Sequence, residues 1–363
     1  MSERKRRFVH VFASFAAGGA QVRAVQLMHH QGSACEHIVM ALDGNTDARQ
    51  MLSKDIEVSY VAPPKDRRFF AMRKKQVAWL REQDADLVLT YNWGSIESVA
   101  AARKLKLPLV HHEDGFGPEE ADKRLLRRSW MRRWLLRGVP VIVPSTVLQD
   151  IATKEWHLRP SEIHHLANGV DLQHFKMREH EPTTPIVGTV GGLRREKDHG
   201  NLLRAIAKMS ADVSVSLVGS GSMETQLREQ SQQLGIADRV FFAGQTTDTA
   251  DSYRGFTVFA LSSCTEQMPI AMLEGMATGL PIVTTNVGDV AKMLPEEQLD
   301  YIVPREDSEA LAKALTTVLA DAELRQRLGT ANRRLAEQRY DSKSCLDRFC
   351  AVYQQANRRS PRT

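Results

Sequence analysis

Two carboxylates and a proline mark the most informative stretch of the chain. Glu266, Gln267, Met268 and Pro269 follow a short apolar run, Val258–Leu261, and Glu274 comes eight positions after Glu266 in an otherwise apolar segment. Proline in the first turn of a helix costs no hydrogen bond. The spacing therefore predicts a helix that opens at Pro269, at the carboxyl end of a strand. The free backbone N–H groups around Met268 to Ile270 would form an anion site suited to a diphosphate. Glu266 would lie just ahead of this helix and Glu274 about a turn and a half inside it, where a carboxylate accepts hydrogen bonds from paired hydroxyls. This is the chemistry of a grip on a nucleotide-sugar.

A second set of candidates lies in the first half. Gly18-Gly19-Ala20-Gln21 opens a helix-like segment after an apolar run, and glycine lets a backbone approach a ligand closely. His111-His112-Glu113-Asp114-Gly115-Phe116-Gly117 ends another apolar run. So many ionisable groups at one strand end point to function and not to packing. The spacing leaves open which of His111, His112 and Asp114 acts.

The elements that must position these groups alternate. Apolar runs at Phe8–Phe12, Ile38–Leu42, Glu57–Val61, Leu87–Thr90, Leu109–His111 and Val141–Pro144 read as strands, with helix-length stretches such as Gln21–His30 and Phe70–Arg81 between them. After a polar, proline-bearing stretch at 176–185 the pattern restarts with strands at Ile186–Val190, Val213–Val218, Val240–Phe242, Val258–Leu261 and Ile282–Thr284, and ends in helices from Ser308 to about Asn357. Strands alternating with helices imply parallel sheets. The expected fold is α/β, with two doubly wound Rossmann-like domains facing a central cleft. The expected boundaries are 1–167, a linker at 168–185, a second domain at 186–340, and a C-terminal helix at 341–363 that packs back toward the first domain. Ligands in such sheets bind at the carboxyl ends of the strands.

Several classes are excluded. No run approaches the roughly 20 apolar residues that span a bilayer. The basic start Arg4 to Arg7 precedes a strand pattern interrupted by His10 rather than a leader peptide. Four cysteines without Cys-x-x-Cys spacing and twelve histidines without His-Glu-x-x-His offer no metal motif and fit a reducing cytoplasm. Gly219-Ser220-Gly221 lacks the third glycine of a dinucleotide fingerprint, because position 224 is glutamate.

Charge is uneven. Residues 1–165 carry 26 Lys/Arg against 19 Asp/Glu, whereas the remainder carries 23 against 25. Within 123–137, Lys123, Arg124, Arg127, Arg128, Arg132, Arg133 and Arg137 occur with no acidic residue. Leu126, Trp130 and Trp134 recur on another helical face, the pattern of an interfacial helix on anionic lipid. Arg67, Arg68, Phe69, Phe70, Arg73, Lys74 and Lys75 would extend the patch. The opposite arrangement, with the tryptophans in the core and the arginines solvated, is as compatible with the spacing. No nucleic-acid motif accompanies the basic face, and no nucleic-acid partner is expected.

Glu266-x7-Glu274, followed by Met276-Ala277-x-Gly279-x-Pro281, resembles the signature of retaining GT-B glycosyltransferases, in particular glycosyltransferase family four. Asn168-Gly169-Val170-Asp171 with Phe175 is similar to that family's interdomain element, and Gly191-Gly192-Leu193-Arg194-Arg195-Glu196-Lys197-Asp198 is similar to its basic loop. Leu217 to Gly221 and Val240 to Gly244 resemble its next two strand ends. The resemblance covers most of the chain.

The resemblance implies that Glu274 binds the nucleotide ribose, that Glu266 contacts the transferred sugar, and that Gln267, Met268, Pro269 and Ile270 hold the diphosphate. Lys197 would neutralise the departing diphosphate, and Gly18, Gly19 and Gly219 would border it. The family's arginine before the leucine of the basic loop is Gly192 here, so Arg194 or Arg195 would replace it. Asp114 falls where other members carry histidine, so Asp114 or His112 would position or deprotonate the acceptor hydroxyl. The implied activity is retaining transfer of a sugar from a UDP- or GDP-sugar to a glycan or lipid-linked acceptor in bacterial polysaccharide, lipopolysaccharide or glycolipid synthesis. Neither cofactor nor metal is implied. The expected location is the cytoplasm, at the inner face of the cytoplasmic membrane if the basic patch binds lipid. Two alternatives share the fold, a nucleotide-sugar 2-epimerase and a binding protein without catalysis.

Overall fold

The computed structural model describes residues 4–64, 66, 68–116, 120 and 124–358; Arg67, Gly117 and Lys123 lie outside them. The chain divides into two compact units, Met1–Ala167 with Lys343–Thr363, and Asn168–Ser342. Each carries one wholly parallel sheet flanked by helices.

The first sheet joins β1 (Arg6–Phe12), β2 (Cys35–Ala41), β3 (Val58–Val61), β4 (Leu87–Tyr91), β5 (Leu109–His112), β6 (Val141–Val143) and β7 (Ile163–His165) in the order β3-β2-β1-β4-β5-β6-β7. The second joins β8 (Ile186–Val190), β9 (Ser214–Val218), β10 (Val240–Gly244), β11 (Val258–Leu261), β12 (Ile282–Thr285) and β13 (Ile302–Val303) in the order β10-β9-β8-β11-β12-β13. Central strands such as β4 and β11 are buried at every residue, which explains their continuous apolar runs, since helices cover both faces of a doubly wound sheet. β7 and β13 escape sequence reading. One is Ile-His-His and the other only two residues long, so neither carries an apolar run.

Both orders reverse next to the first strand of the sheet, between β1 and β4 and between β8 and β11. Such switch points leave a crevice at the carboxyl ends of the strands. In the first unit, α1 (Gly19–Gln31) follows β1 and α4 (Leu126–Leu135) follows β5; in the second, α9 (Ile270–Ala277) follows β11.

Residues 168–185 are laced to the second unit. The Val170 N–H donates to Tyr340 O at 2.8 Å, and Arg325 donates to both Glu181 oxygens at 2.8 and 2.9 Å. The last helix, α13 (Ser342–Arg358), buries Leu346, Phe349, Val352 and Tyr353 in a core of the first unit.

Candidate active site

In the second unit, β11 runs into the loop 262–269 and then into α9. Pro269 sits one position earlier than predicted. It is the residue before the helix, at φ −69° and ψ 116°, an extended conformation that proline adopts freely, and the helix begins at Ile270. No side chain caps the opening turn among the described residues, so its amides remain available to an anion.

Three contacts shape the loop. Asn168 Nδ2 donates to Met268 O at 3.1 Å and the Asn168 N–H to Met268 Sδ at 3.2 Å, so the Asn-Gly-Val-Asp element braces the start of α9. The Asp289 N–H donates to Gln267 O at 3.2 Å. Gly288, at φ +53°, packs so closely that a Cβ there would lie 2.3 Å from Glu266 O; only glycine fits.

The basic loop after β8 meets this loop. The Cys264 N–H donates to Glu196 O at 2.8 Å, and Ser262 Oγ donates to Lys197 O at 3.0 Å. Lys197 Nζ thereby reaches Glu266 Oε1 at 2.5 Å, while Ser263 Oγ donates to the same oxygen at 2.7 Å. Two residues 69 positions apart are joined in one half-exposed ion pair. Arg194 and Arg195 are exposed beside it. Gly219 has a packing reason for its identity: at φ +141°, a Cβ would stand 2.0 Å from Gly191 O. It shapes the basic loop from the next strand end.

Glu274 lies on α9, half-buried, and accepts from Thr249 Oγ1 at 3.3 Å. Burial pushes its carboxyl up to about 7, against the lowering effect of hydrogen bonds from Tyr253 and Thr249. A carboxyl that titrates near neutrality is a feature of functional sites.

The first unit presents a different picture. Gly18 is half-buried and Gly19 exposed at the opening of α1. His112 is fully buried: Tyr353 Oη lies 2.9 Å from Nε2, and Nδ1 faces Thr90 O at 3.4 Å. Since Nδ1 faces a carbonyl it donates, and Nε2 then accepts from Tyr353. With both nitrogens engaged, His112 belongs to a buried network with Tyr91, His10 and His37 and is closed off from solvent. His111 is buried as well, beside Thr90 Oγ1 at 2.9 Å. Asp114 is the group of the three that reaches solvent, its side chain 14% exposed.

Asp114 brings in a residue that sequence reading missed. Arg23 of α1 donates to both Asp114 oxygens. The available signal was a lone arginine in the apolar stretch Val22–Met28, a place where a cation survives only when paired.

The basic helix keeps Leu126, Trp130 and Trp134 outside, as the interfacial pattern expects, but not all of its arginines. Arg132, read above as part of a surface patch, is fully buried. It donates from Nε to Glu113 Oε2 at 2.9 Å and from Nη1 to Glu120 Oε2 at 3.3 Å. It also lies over Trp93, Phe116 and Trp156 at 5.0–5.3 Å. Arg128 turns inward too, 3.3 Å from Glu120 Oε2. These two leave the patch, because two carboxylates and three rings draw them in. Arg124 is half-buried and pairs with Glu155 at 2.8 Å. Outside remain Arg127 and Arg133 with Leu126, Trp130 and Trp134, these three 83%, 64% and 67% exposed.

Two parallel sheets with this strand order define the GT-B class. The likeness extends to the Anabaena HepE protein, whose crystal structure in complex with UDP and glucose matches at a TM-score of 0.83 with 18% identity, covering 96% of this chain and 100% of that one. The family model described as Glycosyltransferase Family 4 matches residues 17–174, and that described as Glycosyl transferases group 1 matches residues 171–335. The chain belongs to this family of GT-B glycosyltransferases.

Among curated relatives, an uncharacterized glycosyltransferase of Haemophilus influenzae is 31% identical over 41% of this chain and 43% of its own length. The lipopolysaccharide core biosynthesis glycosyltransferase LpsE of Rhizobium meliloti is 31% identical over 40% of this chain and 42% of its own length. A UDP-Gal:alpha-D-GlcNAc-diphosphoundecaprenol alpha-1,3-galactosyltransferase of Escherichia coli is 24% identical over 67% of this chain and 68% of its own. The chain thus spans less than half the length of the first two relatives.

Proposed function

We propose that this chain is a retaining glycosyltransferase that moves a sugar from a UDP- or GDP-sugar to a glycan or lipid-linked acceptor. The observation that carries the reading is the Lys197–Glu266 pair at the opening of α9, with Glu274 on the same helix. A diphosphate seated on the α9 amides draws Lys197 toward its own charge. That frees Glu266 to accept from a sugar hydroxyl, while Glu274 accepts from the ribose. The donor class is supported by the UDP complex of the similarly folded Anabaena protein and by the UDP-galactose named for the Escherichia coli relative. Retention is supported by the family resemblance. The named relatives are transferases, which favours this reading over an epimerase.

A panel of UDP- and GDP-sugars tests the donor site by thermal denaturation, since a ligand at 100 times its dissociation constant stabilises by about 2.7 kcal/mol. No shift with any member would refute the donor site, and an inverted anomeric centre in the product would refute retention.

For the acceptor we infer a lipid-linked glycan reached at an anionic membrane surface. The support is the exposed face of α4, where Leu126, Trp130 and Trp134 stand beside Arg127 and Arg133. Apolar side chains flanked by cations are what an anionic lipid interface holds. No helix of the described residues is long and apolar enough to cross a membrane. Co-sedimentation with phosphatidylglycerol vesicles at low salt checks this, and an unbound protein would contradict it.

A further inference from the structure

Arg23 is a buried cation in the middle of α1, its side chain 2% exposed. Nη1 donates to Asp114 Oδ1 at 2.5 Å and Nη2 to Oδ2 at 2.8 Å, and the guanidinium lies over the Phe349 ring at 5.3 Å. One edge of the Asp114 carboxylate therefore rests on a buried guanidinium while part of it meets solvent. The Asp114 backbone is fixed as well. Its N–H donates to Asn92 Oδ1 at 2.6 Å, and the Asn92 N–H donates to His112 O at 2.7 Å. Asn92 holds φ at 57°, a left-handed conformation that few non-glycine residues adopt. α1, β4 and β5 thus converge on Asp114 beside the switch point of the first sheet.

We propose that Arg23 is a positioning residue that holds Asp114 as a fixed anion, so that Asp114 orients the acceptor hydroxyl by accepting its hydrogen bond and not by removing its proton. The inference rests on the transferase reading above. A carboxylate has about four lone-pair sites, and a bidentate arginine engages two of them. Those left over accept a hydroxyl without disturbing the pair. Protonation would instead remove the counter-ion from a desolvated guanidinium. The planar fork also sets the carboxylate plane, which a lysine does not do.

The test compares wild type with Arg23→Met, Arg23→Lys, Asp114→Asn and the double variant Arg23→Met/Asp114→Asn. Release of UDP from UDP-glucose and of GDP from GDP-mannose is followed against rising amounts of bacterial lipid extract. Arg23→Met should raise the half-saturating extract at least about tenfold while donor affinity stays within about twofold, and Arg23→Lys should fall between. The double variant should lose no more than Asp114→Asn, because Arg23 acts through Asp114. The acid limb of the wild-type pH profile should persist in Asp114→Asn.

A folded Arg23→Met with wild-type half-saturation overturns the proposal. So do losses that multiply in the double variant, an equal loss of donor affinity in Arg23→Met, or an acid limb that vanishes with Asp114→Asn. A wild type that releases no nucleoside diphosphate from these or any other UDP- or GDP-sugar overturns the transferase reading itself, and this inference with it.

Discussion

The two units share a strand order but use their switch points in opposite ways. In the second, the loops after β8 and β11 are shaped by Gly219 and Gly288, and the cation of the pair they hold, Lys197 beside Glu266, keeps 27% of its side chain in solvent. In the first, the cations are withdrawn from water: Arg23 of α1 onto Asp114, and Arg132 of α4 onto Glu113 and Glu120. Topology places loops at the carboxyl edge of each sheet. How far the charged groups there are withdrawn from water depends on residue type. Small residues and an uncapped helix leave amides free, whereas long cations beside carboxylates and rings pull the chain inward.

This contrast can be broken most strongly at Arg132. Arg132→Met removes the cation between two buried carboxylates and should cost about 3–5 kcal/mol of stability, read by urea denaturation. Lys197→Met, which removes the half-exposed partner of Glu266, should cost about 1 kcal/mol or less in the same assay.

Acid sharpens the contrast. Burial pushes His37 down to about 4 and holds His10 and His112 well below their ordinary value, all three in the first unit; His199 of the second is also lowered to about 4. A histidine with a depressed value binds fewer protons folded than unfolded. Its contribution is therefore complete above about 6.5 and is lost as pH falls toward about 4. Each titrating histidine should remove about 1.4 kcal/mol per pH unit in that window, so the first unit should become protease-sensitive in acid before the second.

Glu274 carries the opposite sign. Its value is raised to about 7, so its contribution to stability is complete below about 4.5 and is lost as pH rises through 7. Donor hydroxyls favour the ionised form, so donor affinity should rise up to about tenfold per pH unit below 7. Isothermal titration across pH 6–8 should show this slope in wild type and lose it in Glu274→Gln.

The smallest effect is expected on α4. Trp130→Ala with Trp134→Ala should leave stability within about 0.5 kcal/mol, since both rings already lie in solvent, while reducing vesicle co-sedimentation.

Much of this was legible in order along the chain. β8 and β11 have the bounds their apolar runs predict, and the helix after Glu266 begins within one residue of its predicted start. The segment from Glu266 to Glu274 could be placed because its residues lie close together in sequence, at a strand end that proline marks. The acceptor-side candidates were not separable. His111, His112 and Asp114 have the same neighbours in sequence, and only the strand's facing tells that the histidines are buried and Asp114 reaches solvent. The basic helix misled for a related reason. A period of 3.6 groups residues into faces but does not say which face turns inward.

What the sequence by itself determined, then, is the alternation of strands and helices, the restart after residue 185, and the local signature from Glu266 to Pro281. These depend on neighbours within a few turns. What only the tertiary structure decided is which charges meet. Lys197 finds Glu266 across 69 positions and Arg23 finds Asp114 across 91, and Arg132 leaves the surface for Glu113 and Glu120. Those pairings follow from desolvation, since a charge withdrawn from water must be matched by a partner that the folded chain brings to it.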